Sequence, residues 1–181
     1  MKRKKHGKQE TMGYTQLLKL QRREREFWKT FGIENPEQVP PHYHHVDLRC
    51  SRINDEELRL MAARIKRIEM LDLNDTEITA LGIENLNGME YLAELRIKDC
   101  AQIDDDAIPY LCQLPSLRLL NIKGTKITIN GLLGMGGAKT MEELYFSSNG
   151  HEDVNKQLQM LQQLLPSCKL VVDGKEYTVG Q

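Results

Sequence analysis

Residues 68–76 read Ile-Glu-Met-Leu-Asp-Leu-Asn-Asp-Thr, apolar at Ile68, Leu71 and Leu73, then small and polar at Thr76. The spelling recurs at Tyr43, Val46, Leu48 and Ser51; Leu92, Leu95, Ile97 and Cys100; Leu117, Leu120, Ile122 and Thr125; and Met141, Leu144, Phe146 and Asn149. Its third apolar position advances by 25, 24, 25 and 24 residues. A fixed period of this length marks an array of supersecondary units. One such unit cannot bury its own apolar face, so it needs a neighbour on each side. The chain therefore reads as a short solenoid.

Each unit continues beyond its strand. Asn54, Thr79, Asp104 and Thr128 stand at one offset, each before an apolar-periodic stretch. Their side chains can accept from an orphan N–H of a helical first turn, which predicts N-caps. Three residues on come Gly82, Ala107 and Gly131, small enough to let a helix approach the layer beneath. Leu58, Met61, Ala62 and Ile65 follow helical spacing, and Pro109 falls where a missing N–H costs least. Ser51, Thr76, Cys100, Thr125 and Asn149 mark where the chain turns inward. A small donor there can satisfy turn carbonyls, so this column is structural.

On these residues the chain resembles the leucine-rich repeat superfamily from residue 43 to about 173. The phrases at 76–83 (TEITALGI), 100–108 (CAQIDDDAI) and 125–132 (TKITINGL) resemble the cysteine-containing, ribonuclease-inhibitor-like subtype, although only one ladder position is Cys. The resemblance implies an α/β fold: a short right-handed leucine-rich-repeat solenoid. Parallel strands would line its concave face and short helices its convex face, with a helical N-terminal cap. In size and repeat type the chain also resembles mitochondrial ATP synthase coupling factor B and its complex I assembly relatives. The cysteine-containing subtype further implies a substrate-recognition subunit of a ubiquitin ligase, but the first 40 residues show no F-box.

Charge divides the chain. Residues 1–30 hold ten Lys/Arg against three Asp/Glu, and the remainder 15 against 23. The reading is a basic disordered tail at 1–13, a helical cap and linker at 14–41, and a repeat domain at 42–181. The repeat domain would hold about five repeats and close on a strand and hairpin at Asp173-Gly174. In the cap, Leu17, Leu20, Phe27 and Phe31 share a stripe with Trp28 beside it. No apolar run approaches the ~18 residues of a membrane span, and no secretory h-region follows the basic start. Cys50, Cys100, Cys112 and Cys168 lack paired spacing, which predicts free thiols in a reducing, intracellular, cytoplasmic setting.

Little points to chemistry. His42, His44 and His45 lack a completing ligand, so no metal is expected. Residues 134–140 (GMGGAKT) mimic a phosphate loop but have Ala138 at the last glycine position and lie between helix and strand. Asp104, Asp105 and Asp106 suit a helix start. Neither an enzyme nor a cofactor is expected. Strand alternation instead turns Asp47, Asp72, Arg96, Asn121 and Tyr145 outward, beside Arg49, Asn74, Lys98, Lys123 and Ser147 and beside His45, Met70, Glu94, Leu119 and Glu143. The function expected is a non-enzymatic protein-interaction module, an adaptor or assembly factor. Its partner-binding residues on the concave face would be Asp47, Arg49, Asp72, Asn74, Arg96, Lys98, Asn121, Lys123 and Tyr145, facing a protein with an acidic segment. A nucleic acid on the basic arm is the alternative; the arm lacks interleaved aromatics and would bind unspecifically.

Overall fold

The computed structural model describes residues 13–148 and 154–178, which leaves the tail at 1–12 and the ladder position Asn149 outside the described residues. The chain divides into two compact units, residues 1–39 and 40–181. In the first, α1 (Tyr14–Lys29) follows an extended Gly13. Phe27 meets Trp28 and Phe31 edge-on at ring centroids 5.0 and 5.1 Å apart, and Trp28 and Phe31 lie tilted at 5.8 Å. A single 3-10 turn, Pro36–Gln38, is capped by Asn35.

The second unit alternates strand and helix. Its elements are β1 (His42–Asp47), α2 (Asp55–Arg64), β2 (Arg67–Asp72), α3 (Ala80–Leu86), β3 (Tyr91–Arg96), α4 (Ile108–Leu111), β4 (Leu119–Asn121), α5 (Ile129–Leu132), β5 (Glu143–Phe146), α6 (Asn155–Leu164), β6 (Lys169–Val172) and β7 (Lys175–Glu176). The strands form one open sheet in chain order, parallel from β1 to β6, with β7 antiparallel. Val46, Leu71, Leu95, Leu120, Leu144 and Leu170 lie in register across it. All but Val46, on the edge strand, are buried. With Leu58, Met61, Ile83, Leu86, Leu111, Leu132 and Leu161 from the helices, they form a continuous core on one side of the sheet. Asp173 and Gly174, at φ 50° and 84°, turn β6 into β7, the left-handed pair that a two-residue hairpin requires.

One turn recurs after the strands. Cys50, Asp75, Asp99 and Gly124 adopt φ of 54°, 57°, 60° and 71°, each one residue before the inward-turning ladder residue. The first three donate their N–H to the next unit's Asn74, Lys98 and Lys123 carbonyls at 2.7–3.0 Å. Thr76 and Thr125 donate their hydroxyls to Leu73 and Ile122 carbonyls at 2.7 and 2.8 Å. Cys100 Sγ lies 3.1 Å from the Leu73 carbonyl and 3.4 Å from Thr76 Oγ1. Burial pushes the Cys100 thiol pKa up, and that of Cys168 to about 12.

The helix starts form a second ladder. Asn54, Thr79, Asp104 and Thr128 each accept from a first-turn N–H at 3.0–3.2 Å. Asp55 reaches from α2 to the next unit's cap, accepting from Thr79 N and Oγ1 at 2.8 and 2.6 Å. Asp105 does the same to Thr128, at 2.7 and 2.8 Å. A Cβ on Gly82 would meet Asp55 Oδ1, and one on Gly131 would overlap Asp105 Oδ1. The layer that these small residues approach is thus a carboxylate of the preceding unit. At the middle junction Ala80 stands where that carboxylate would be, and Ala107 where the glycine would be. An open groove of about 550 Å³, lined by Ala80, Leu81, Gln102, Pro109 and Tyr110 among others, lies there.

Candidate functional site

The outward columns are in register. His45, Met70, Glu94, Leu119, Glu143 and Lys169 face one another across the six parallel strands, as do Asp47, Asp72, Arg96, Asn121, Tyr145 and Val171. The sheet thus brings Asp47, Asp72, Arg96, Asn121 and Tyr145 together, with Arg49, Asn74, Lys98 and Lys123 just past the strand ends. Lys169 and Val171 extend both columns. Their sequence signal is the two-residue alternation of the strand that precedes the Asp173-Gly174 turn.

Most of these polar groups are engaged within the sheet. Asp47, Asp72 and Asn121 accept the N–H of the residue two positions on, Arg49, Asn74 and Lys123, at 3.1–3.2 Å. This is the Asx turn that short polar side chains build at a strand end. Asn74 Oδ1 accepts Lys98 N from the neighbouring unit at 2.7 Å. Asp72 is buried, and the Arg49 guanidinium bridges Asp47 at 2.7 Å and Asp72 at 3.7 Å. That arginine holds the Asp47 carboxyl well below its usual range, at about 2. These acidic and amide residues stand at fixed offsets because they close the turn after each strand, a role their types alone do not distinguish from binding.

The β3–β6 half differs. Arg96 lies 3.4 Å from Glu94, and Lys98 lies 3.2 Å from Asp99. Lys123 forms no ion pair with a described residue. The Tyr145 hydroxyl donates to Glu143, which pushes the phenol pKa up. Lys169 pairs with Glu176 of β7 at 3.1 Å. Leu119 adds apolar area between these charges, while Val171 is buried.

The other candidates are placed as follows. His42 Nε2 lies 3.7 Å from Glu69, and no three His, Cys, Asp or Glu side chains among the described residues gather to hold a metal ion. Residues 133–137 wind into a 3-10 helix after α5, and Thr140 donates to the Leu117 carbonyl. Cys100 and Cys168 are buried and Cys112 partly so, while Cys50 is exposed. No helix among the described residues is long and apolar enough to cross a membrane.

No family model matches the chain. Over 115 residues it is 25% identical to mitochondrial ATP synthase subunit s of Bos taurus and 26% identical to that of Homo sapiens, covering 60% of this chain and 58% of each relative. The chain thus spans less than two thirds of the length of these relatives. Among solved structures, leiomodin-1 actin-binding site 2 superposes with a TM-score of 0.52 at 12% identity, over 87% of this chain and 90% of that one, a likeness of fold alone. The relatives correct several expectations. A generic adaptor, a nucleic-acid-associated protein and a ubiquitin-ligase subunit are overturned by matches to a subunit of one defined assembly. A cytoplasmic setting is overturned by relatives that are mitochondrial. What the chain is similar to, over 60% of its length, is subunit s of mitochondrial ATP synthase.

Proposed function

We propose that this chain is a non-catalytic, mitochondrial subunit of a multiprotein complex of the ATP synthase type, contributing a protein-binding surface rather than chemistry. The observation that carries this reading is the 25–26% identity to ATP synthase subunit s over 115 residues. The sheet supports it, since its buried leucines hold the outward columns in fixed register. The repeat type is that of leucine-rich repeats, supported by the 24–25-residue period and the recurrent left-handed turn. The partner-facing residues are Arg96, Lys98, Lys123 and Tyr145, and their cations favour an acidic partner segment. Asp47, Arg49, Asp72, Asn74 and Asn121 shape the surface by closing its turns.

The test is native electrophoresis of the tagged full chain from fractionated cells, with mass spectrometry of the co-migrating bands. Co-migration with ATP synthase subunits in the mitochondrial fraction is expected. Migration as a free monomer, or recovery in the cytosol alone, overturns the reading. Within the complex, Arg96→Glu with Lys123→Glu should release the chain, whereas Arg59→Glu on the helix side should not. The reverse pattern would remove the sheet face from the proposal.

A further inference from the structure

The first half of α1 carries large apolar side chains that are exposed. Tyr14, Leu17 and Leu18 are 76%, 42% and 46% exposed, whereas Phe27 and Trp28 further along the same helix are buried. Positions 14, 17 and 18 are spaced i, i+3, i+4 and so lie on one side of a helix. Continued along the helix, the side that carries Tyr14 and Leu18 passes through Arg22 and Arg25. Residues 14–29 hold five Lys/Arg, at 19, 22, 23, 25 and 29, against Glu24 and Glu26. The segment before it, 1–12, adds five more against one Glu.

We propose that this face of α1 docks on an anionic lipid bilayer, lying in the interface rather than crossing it. A 16-residue helix of this charge is no membrane span. An amphipathic helix with a small apolar face and Lys/Arg beside it binds in the plane of the headgroups, its apolar side chains at the acyl boundary. Tyr14 suits that depth, with an apolar ring and a polar tip. Leu17 and Leu18 enter the acyl edge, while Lys19 and Arg22 at its flank and Arg25 further along the same side stay at the level of the phosphates. Charge complementarity selects acidic headgroups, since each basic residue near such a surface strengthens binding roughly fivefold. A nucleic acid would use the cations but leave Leu17 and Leu18 exposed, so the apolar tip decides between the two. The inference is independent of the proposed complex, because it concerns this helix alone.

Co-sedimentation of the full chain with vesicles tests it, comparing phosphatidylcholine with phosphatidylcholine carrying about 30% phosphatidylglycerol. Binding to the anionic vesicles should exceed that to the neutral ones at least tenfold and weaken severalfold in about 0.5 M salt. Leu17→Gln with Leu18→Gln should cut it about tenfold. Lys19→Gln with Arg22→Gln and Arg25→Gln should cut it more. All five positions are exposed, and an unchanged circular dichroism spectrum and melting temperature confirm that the variants fold. Tyr14→Trp should add a blue-shifting emission on the anionic vesicles that the buried Trp28 does not supply. Equal binding to both vesicle types, no binding, an unshifted Trp at position 14, or leucine variants that bind like the parent each overturn the proposal. So does tighter retention on duplex DNA that is indifferent to the leucine changes, which would assign the cations to nucleic acid.

Discussion

Replacing Gly131 by Ala should destabilise the parent protein and stabilise the Asp105→Ala variant. Gly131 lies in α5, where alanine is ordinarily favoured over glycine by about 1 kcal/mol. Here the added methyl would overlap the Asp105 carboxylate, which Thr128 N and Oγ1 hold at 2.7 and 2.8 Å. Either the carboxylate leaves its two donors or α5 shifts. Hydrogen bonds to charged groups contribute about 1.5–3 kcal/mol each. The site is only partly buried, so a combined worth of about 2–3 kcal/mol is the fitting figure. Asp105→Ala should therefore cost about 2–3 kcal/mol, and Gly131→Ala about 1–2 net of its helix gain. In the Asp105→Ala background nothing opposes the methyl, and Gly131→Ala should return about 0.5–1 kcal/mol. The protein already carries this double replacement at its middle junction, as Ala80 with Ala107. Urea unfolding of the four proteins measures the coupling, expected at about 2 kcal/mol. A coupling below about 0.5 kcal/mol would refute the clamp, because independent sites add within that margin.

Leu95→Ala should cost about 2–5 kcal/mol in the same assay, since Leu95 is fully buried between Leu71 and Leu120; a loss under about 1 kcal/mol would contradict the register. Gly124→Ala should destabilise by more than about 1 kcal/mol, because its φ of 71° strains any side chain, and Asp99→Ala should restore only the part due to the carboxylate beside it. The Cys168 thiol has its pKa raised by burial from 9.0 to about 12, so the fold favours the neutral thiol. That contribution is full below pH 9.0 and is lost as pH rises towards 12; Cys168→Ala should flatten the alkaline fall in melting temperature, and an unchanged slope would show the thiol is not its source. In the native protein Cys50 should react with a thiol reagent before Cys100 and Cys168, which are buried, and simultaneous labelling of all three would contradict that order.

The strand positions were legible because period and alternation both follow from burial. Leu71, Leu95 and Leu120 must face a core for the units to stack, so their spacing in the chain is their register in the sheet. The caps Asn54, Thr79, Asp104 and Thr128 were legible for the same local reason, since an N-cap bonds within its own first turn. Asp72 and Asn121, expected on the partner-binding face, also close turns by accepting the N–H of Asn74 and Lys123. Residue type does not say whether a carboxylate meets water or an N–H two residues away.

By itself the sequence determined the α/β class, the register and faces of the strands and the N-caps of the helices. Each of these rests on contacts within one unit or on a repeat of fixed length. Only the tertiary structure decided which side chains join one unit to the next. Asp55 meets Thr79 and Asp105 meets Thr128 at separations of 24 and 23 residues, and Gly82 and Gly131 are small because of carboxylates that lie far from them in the chain. It also decided that Tyr14, Leu17 and Leu18 stay exposed while Phe27 and Trp28 on the same helix are buried. A hydrophobic stripe records that a helix has an apolar side, and only the packing around that helix determines how much of the side is covered.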